Sequence, residues 1–395
     1  MTPFEWNFPT KICYGNGRIK EVGSIASAYG KKAMIATYAK GTPLDPVIGV
    51  VEESLKAAGI DVVIFSGIEP NPRAQTIDAA IKVFVDEKCD MVIALGGGSV
   101  IDGAKYIAAT AFSGGNCWDY VVLGARVPRE YTGAFPIISI PTVSAAGSET
   151  NAGGVIQNEE TREKSFSRSP YRIPKVAIID PDILKSLPLK LTRDSCIDIF
   201  SHLIEHYLSS PAESEFADRM TEGMILCLMD NFEKVLRDPE DTEVRGQLAL
   251  CASFGWSGLQ ALGRVGSIPM HSIEMPLSAH YDLPHGRGMI VVIPPYLAYM
   301  ADALPHRWAK LARRCFGVTE ADDVVAAKML SEKVVDWFKR TGSYLTLSDV
   351  GIPADKFDAM AEDVIRMFPI AGTATTAGAR PIGKQDIVNI YERCR

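Results

Sequence analysis

Between residues 33 and 180, short runs that are almost wholly apolar and rich in β-branched residues alternate with longer segments of helical periodicity, and this rhythm restricts the fold more than any other feature. The runs occupy residues 33–37, 62–65, 91–95, 135–140 and 176–179. A strand that is apolar along its whole length is covered on both faces, as in a parallel sheet flanked by helices. Residues 45–58 and 74–87 lie between the first three runs and have the length that a parallel crossover requires. These features predict an α/β domain with a doubly wound parallel sheet of the dinucleotide-binding kind.

After Asp180-Pro181 and Leu187-Pro188 the strand-like runs almost vanish. Apolar residues recur three and four apart through 196–208, 217–236, 248–262 and 326–341, which predicts a helical second half. The proline at 188 marks the break, with a helix start at Thr192-Arg193-Asp194. The expected domains are 1–187, α/β, and 188–395, all-α. With 395 residues the chain has room for two or three such units.

With 41 basic and 48 acidic residues the net charge is −7, the wrong sign for a surface that neutralises phosphates, so nucleic acid is not an expected partner. The eight cysteines are scattered without a C-x-x-C pair, which fits reduced thiols and a cytoplasmic location. Glu5 stands where a signal peptide carries positive charge, and residues 6–9 are too short for its apolar core. No apolar run approaches the roughly 20 residues of a membrane helix, so no membrane partner is expected.

Two loops carry the first chemical signal. The run 91–95 passes through Gly96-Gly97-Gly98-Ser99 directly into a helical segment with Asp102 and Lys105. Glycines let a pyrophosphate approach the backbone, and the helix start offers free N–H donors and a positive dipole end. The spacing is neither G-x-G-x-x-G nor a Walker loop, and a tight turn that merely needs small residues is the competing reading. The second loop, Pro141-Thr142 through Ser144, Gly147-Ser148-Glu149 and Asn151, follows the next strand. In an open parallel sheet both reach the carboxyl edge, where ligands bind.

Five of the six histidines fall in two clusters of the second half. Asp198 and His202 are four apart, which on a helix puts both side chains on one face, although such a pair alone reads as a surface contact. His271 and His285 follow, fourteen residues apart. One carboxylate oxygen and three imidazoles form a ligand set suited to Fe(II), with Zn(II) as the alternative. His206 reads as packed or solvated, His280 either so or as a group behind the ligands, and His306 as surface.

This ordered set of motifs resembles the iron-dependent alcohol dehydrogenase family, whose architecture is shared with dehydroquinate synthase and glycerol dehydrogenase. Beside the loops and ligands above, the matches include Tyr14-Gly15, Lys164 and Pro284-His285-Gly286. Glu69-Pro70-Asn71-Pro72-Arg73, Asn151-Ala152-Gly153 and Asp218-Arg219 resemble the butanol dehydrogenase and broad aldehyde reductase branch. The resemblance implies a metal held by Asp198, His202, His271 and His285. It implies a dinucleotide, NAD(H) or NADP(H), lined by Gly97, Gly98, Ser99, Asp102 and Thr142, with Ser144, Lys164 and Lys40 as further contacts. A divalent ion would polarise the aldehyde carbonyl toward hydride from the nicotinamide.

Two positions depart from the family. Many members carry a histidine where this chain has Met275, which leaves proton delivery to another group; His280 ranks first, with Asn151 as a further catalytic candidate. Ala39 stands where NAD-preferring relatives place an aspartate, and Lys40 could pair with a 2′-phosphate, so neither nicotinamide is favoured. The implied activity is a metal-dependent reductase of short aldehydes, reversible as an alcohol dehydrogenase, with Phe254 and Trp256 at the substrate tail. A small anionic aldehyde such as sulfoacetaldehyde is implied only if Arg264 points inward rather than ending a helix in solvent. The alternative is a dehydroquinate synthase-type lyase, which would need a dense basic pocket. A homo-oligomer, a dimer first, is expected.

Overall fold

The computed structural model describes residues 1–395, and a six-stranded parallel sheet organises the first half. Its strands are β1 (Lys11–Tyr14), β2 (Lys32–Thr37), β3 (Asp61–Ser66), β4 (Met91–Gly96), β5 (Ile137–Pro141) and β8 (Val176–Ile179), in the order β1-β8-β5-β4-β2-β3. The remaining two strands of this half, β6 (Gly153–Asn158) and β7 (Glu163–Arg168), form a separate antiparallel hairpin. Alternate residues of β2 and β4 enter different cores: Met34, Ala36, Val92 and Ala94 one, Ala33, Ile35, Ile93 and Leu95 the other. That double burial is why these runs carry no polar alternation.

Helices α1 (Val22–Ala26) and α2 (Asp45–Ala57) cover one face, and α3 (Ala74–Asp86) and α4 (Gly98–Ser113) the other. Periodicity does not reveal β1, β6 or β7, and for β1 and β7 the structure gives a physical reason. β1 is a four-residue edge strand with exposed Lys11 and Tyr14, and β7 is polar because it lies beside the cleft rather than within the main sheet.

From Pro181 onward the long elements are helical: α5 (Pro181–Leu184), α6 (Leu189–Ser209), α7 (Glu215–Arg237), α8 (Thr242–Gly255), α9 (Pro269–Tyr281), α10 (His285–Met300), α11 (Pro305–Cys315), α12 (Asp323–Arg340), α13 (Phe357–Met367) and α14 (Lys384–Arg393). One antiparallel pair, β9 (Thr375–Thr376) with β10 (Ile382–Gly383), interrupts the all-helical expectation. α6 begins just after Pro188, three residues before the expected start, and Thr192 spends its hydroxyl on the Pro188 carbonyl instead of capping. The helix expected over 248–262 is shifted to α8, because Asp241 caps its start through the Val244 amide and Gly258, at φ 89°, turns the chain beyond its end. None of the helices is long and apolar enough to cross a membrane.

Candidate metal and cofactor site

A cleft of about 870 Å³ runs from the carboxyl ends of the strands into the helical half. At its inner end α6 presents Asp198 and His202 one turn apart, α9 presents His271, and His285 opens α10. Donor atoms of Asp198, His202 and His271 all lie within 4.8 Å of one another. His285 Nε2 stands 3.5 Å and His202 Nε2 3.8 Å from the same oxygen, Asp198 Oδ1. Asp198 Oδ1 and His271 Nε2 are buried and have no hydrogen-bond partner. An unpaired buried carboxylate oxygen facing imidazoles is costly unless a cation joins them, so the residues present fit a divalent ion.

Two glutamates absent from the sequence-based candidates hold the imidazoles. Glu205 Oε2 accepts from His271 Nδ1 while its other oxygen takes the amide hydrogens of Met270 and His271, at 2.6 and 3.0 Å. Glu274 Oε2 accepts from His285 Nδ1. Each bond fixes the tautomer that leaves Nε2 with its lone pair toward the site. Burial pushes the Glu274 carboxyl up, but the Lys164 ammonium and the hydrogen bonds from His285 and Ser278 outweigh it and draw it down. Burial lowers the basicity of His202 to about 3, so its ring is neutral, as a ligand must be. Burial, then the charges of Arg264 and Arg168, holds His206 at about 4.

Toward the sheet, the same cleft is lined by Gly97, Gly98, Ser99, Asp102 and Thr142. α4 starts at this point with no side-chain cap, so its first amides are free for an anion. The approach is close: a Cβ at Gly97 would lie 2.8 Å from the Tyr38 hydroxyl, and one at Gly98 2.8 Å from the Ala146 Cβ. Asp102 braces the two loops, accepting from the Ser148 hydroxyl and, at 2.8 Å, from the Val155 amide. Buried Lys105 donates to Asn151 Oδ1 at 3.0 Å and to the Gly153 carbonyl at 2.7 Å, and burial draws its pKa down to about 7.

An anion-accepting helix start at one end of a cleft, with an aspartate and three histidines clustered at the other, pairs nucleotide with metal. The model of the iron-containing alcohol dehydrogenases matches residues 9–181, and that of the C-terminal part of the Fe-containing alcohol dehydrogenase family matches residues 192–394. The chain belongs to the iron-containing alcohol dehydrogenase family. NADH-dependent butanol dehydrogenase B of Clostridium acetobutylicum is 30% identical to it across 100% of both chains. NADPH-dependent aldehyde reductase YqhD of Escherichia coli is 30% identical over 91% of this chain and 92% of that protein. The crystal structure of NADH-dependent butanol dehydrogenase A from Thermotoga maritima, 32% identical, matches with a TM-score of 0.93 over 100% of this chain and 99% of the other. As an iron-containing alcohol dehydrogenase, the chain is an NAD(P)-dependent oxidoreductase of the alcohol–carbonyl couple.

Several candidates sit elsewhere than this family's site. His280 is nine residues from His271, roughly 180° around α9, and instead of facing the cleft it pairs with Asp363 at 2.7 Å. Ser144 lines a small cavity behind the loop, with Thr192 and Arg245, rather than the cleft. Lys40 is exposed and lies outside the cleft lining. Phe254 stacks on Phe8 at 5.4 Å, outside the cleft wall. Arg264 neither lines the cleft nor faces solvent: it is buried 2.9 Å from Asp218 and beside the Tyr207 ring. Asn151, Lys164, Trp256 and Met275 do line the cleft. Asn151 is engaged at both ends of its amide, with Lys105 and Gly153 on its oxygen and the Gly147 carbonyl on its nitrogen, so its visible role is to shape the loop. Lys164 donates to Asn71 at 3.1 Å and Ser278 at 2.9 Å and stands 3.7 Å from Glu274.

Proposed function

We propose that this chain interconverts short-chain aldehydes and primary alcohols with NADH or NADPH at a divalent metal, iron(II) first, held by Asp198, His202, His271 and His285. The observation that carries this reading is the convergence of those four donors, two of their atoms buried and unpaired, in the cleft that also contains the open start of α4. When bound, the ion supplies Lewis acidity at the carbonyl oxygen and the nicotinamide supplies hydride. The protein's share is placement. The amides of Gly98 and Ser99 donate to the pyrophosphate, Lys164 fixes the cleft wall beside Glu274 and hence His285, and Trp256 packs, tilted, with its ring centroid 4.7 Å from that of His202.

Trp256, Met275, Ile268 and Phe166 give the substrate end an apolar wall, which suits three to five carbons. One methylene in such a pocket is worth only about 1–3 kcal/mol, so selectivity among neutral aldehydes is broad. A lyase of the dehydroquinate synthase type finds no dense basic pocket here. Lys164 and Arg168 are the lysine and arginine of the cleft wall, whereas Arg172 is buried over the Tyr106 ring at 3.9 Å and Arg264 is paired. We also propose a homo-oligomer, a dimer first, since Phe216 and Met220 stand exposed one turn apart on α7; light scattering of the metal-loaded protein tests it.

The deciding assay follows NADH and NADPH oxidation with propanal, butanal and pentanal before chelation, after it, and after Fe(II) or Zn(II) is returned. Turnover that disappears and returns with the metal is expected. Full turnover in protein shown to be metal-free would end this reading.

A further inference from the structure

Residues 1–8 belong to no helix or strand, yet they are pinned along the end of α8 and the chain that follows it. The Thr2 amide donates to the Gly263 carbonyl at 2.8 Å, and the Met1 side chain covers Gly263, where a Cβ would lie 2.2 Å from Met1 Cγ. The Trp6 indole donates to the Ser257 carbonyl at 3.1 Å, and its ring stands 3.6 Å from where a Cβ of Gly258 would be. Phe8 stacks on Phe254. Neither Phe4 nor Trp6 enters a hydrophobic core, and they remain 49% and 43% exposed, so core packing does not account for two large apolar rings held in one place.

The chain that holds this strap also carries the side chain packed on the proposed ligands. The Trp256 ring centroid lies 4.7 Å from that of His202 and 5.8 Å from that of His271. Ser257 is the next residue, and consecutive residues are about 3.8 Å apart, so Trp6 is anchored a single residue's length beyond the indole that covers the imidazoles. Phe4 and Trp6 line the cleft together with Trp256, Ala261 and Leu262. The groups that pin the strap all lie in the helical half, whereas the open start of α4 stands on the sheet half. The strap therefore borders the end of the cleft where the four donors meet, not the end that takes a pyrophosphate.

We propose that residues 4–7 form the outer wall of the substrate pocket and that Trp6 is a specificity residue whose ring blocks the path of long unbranched tails, so that butanal is taken and octanal is refused. This rests on the proposed aldehyde reduction at the Asp198, His202, His271 and His285 site. A short tail ends against the strap, where the Phe4 and Trp6 rings give it apolar cover. A long tail has to displace the Trp6 ring and part its indole from the Ser257 carbonyl before it can extend further.

The ratio of kcat/KM for butanal to that for octanal is compared in the metal-loaded wild type, in Trp6→Ala and in a chain lacking residues 2–7. The wild type is expected to favour butanal about tenfold or more. Both variants should bring the two aldehydes within about threefold of one another, chiefly by raising octanal, with the KM for the nicotinamide unchanged. A wild type that takes octanal as readily as butanal, a ratio that neither variant changes, or an equal loss for both aldehydes overturns the proposal. Calorimetry with 1-butanol and 1-octanol supplies a readout without turnover, since each methylene that finds apolar cover adds about fourfold in affinity. If 1-octanol gains on 1-butanol only in the variants, the wall stands even where neither aldehyde is reduced, in which case it is the reading of the reaction that fails; a wild type that already binds 1-octanol tighter by that factor per methylene overturns the wall itself.

Discussion

At the proposed metal site, Glu205 and Glu274 hold the imidazoles without offering an atom of their own. Each is buried and takes the Nδ1 hydrogen of one histidine, so each sets a ring orientation and raises the donor strength of Nε2. Glu205→Gln keeps the size but removes the charge, and metal affinity is expected to fall about 10–100-fold with the fold intact; competition with a chelator of known affinity checks it, and an unchanged affinity removes Glu205 from the site. The histidines were legible because the chain has only six and their spacing is informative. The glutamates were not, since they are two among 48 acidic residues and nothing in the sequence shows which of these are buried. Glu205 follows His202 by three residues and Glu274 follows His271 by three, so a search for carboxylates one turn beyond each ligand would have found both. Arg264 failed in the other direction: its partner Asp218 lies on a different element, and pairing across elements has no local signal.

At the scale of elements, strand and helix phase decides which residues meet the cleft. α9 continues unbroken through Pro276 to Tyr281, and that continuity carries His280 to the side opposite His271, against Asp363 of α13. Had the helix length been known, the rotation alone would have placed His280 on the side of α9 away from the cleft. The glycine loop was readable because an apolar strand runs directly into a helix there, but the sequence does not show what crowds it. Gly98 is closed off by the second loop, with Ala146 2.8 Å from where its Cβ would be. Gly98→Ala is therefore expected to weaken nicotinamide binding at least severalfold by displacing the loop of residues 142–147, rather than by touching the cofactor alone. Adding Ala146→Gly should return most of the lost affinity. Calorimetric titration of the single and double variants separates the cases, because a clash with the pyrophosphate itself would leave the double variant as weak as the single.

Across the whole molecule the two halves divide the labour and are joined beside the cleft. Ser253 of α8 donates to Glu149 in the second loop, the Thr150 hydroxyl reaches the Ser253 carbonyl at 2.6 Å, and Asn71 and Arg73 reach Asp282 just past α9. The four proposed metal ligands, by contrast, come from α6, α9 and α10, all in the helical half. A bound ion thus ties three helices together, and its removal leaves Asp198, 3% exposed, facing imidazoles without a cation. Ligand held at a hundredfold its Kd adds about 2.7 kcal/mol to stability. In a chain of this length that corresponds to a rise in Tm of about 3 °C. Chelation should lower Tm by about that amount, and Asp198→Ala should unfold at one temperature with or without metal, while Trp6→Ala keeps the wild-type difference. Scanning calorimetry on the three proteins at matched free metal tests this. A chelation-dependent Tm that persists in Asp198→Ala would mean that the ion stabilising the helical half sits somewhere other than the cleft.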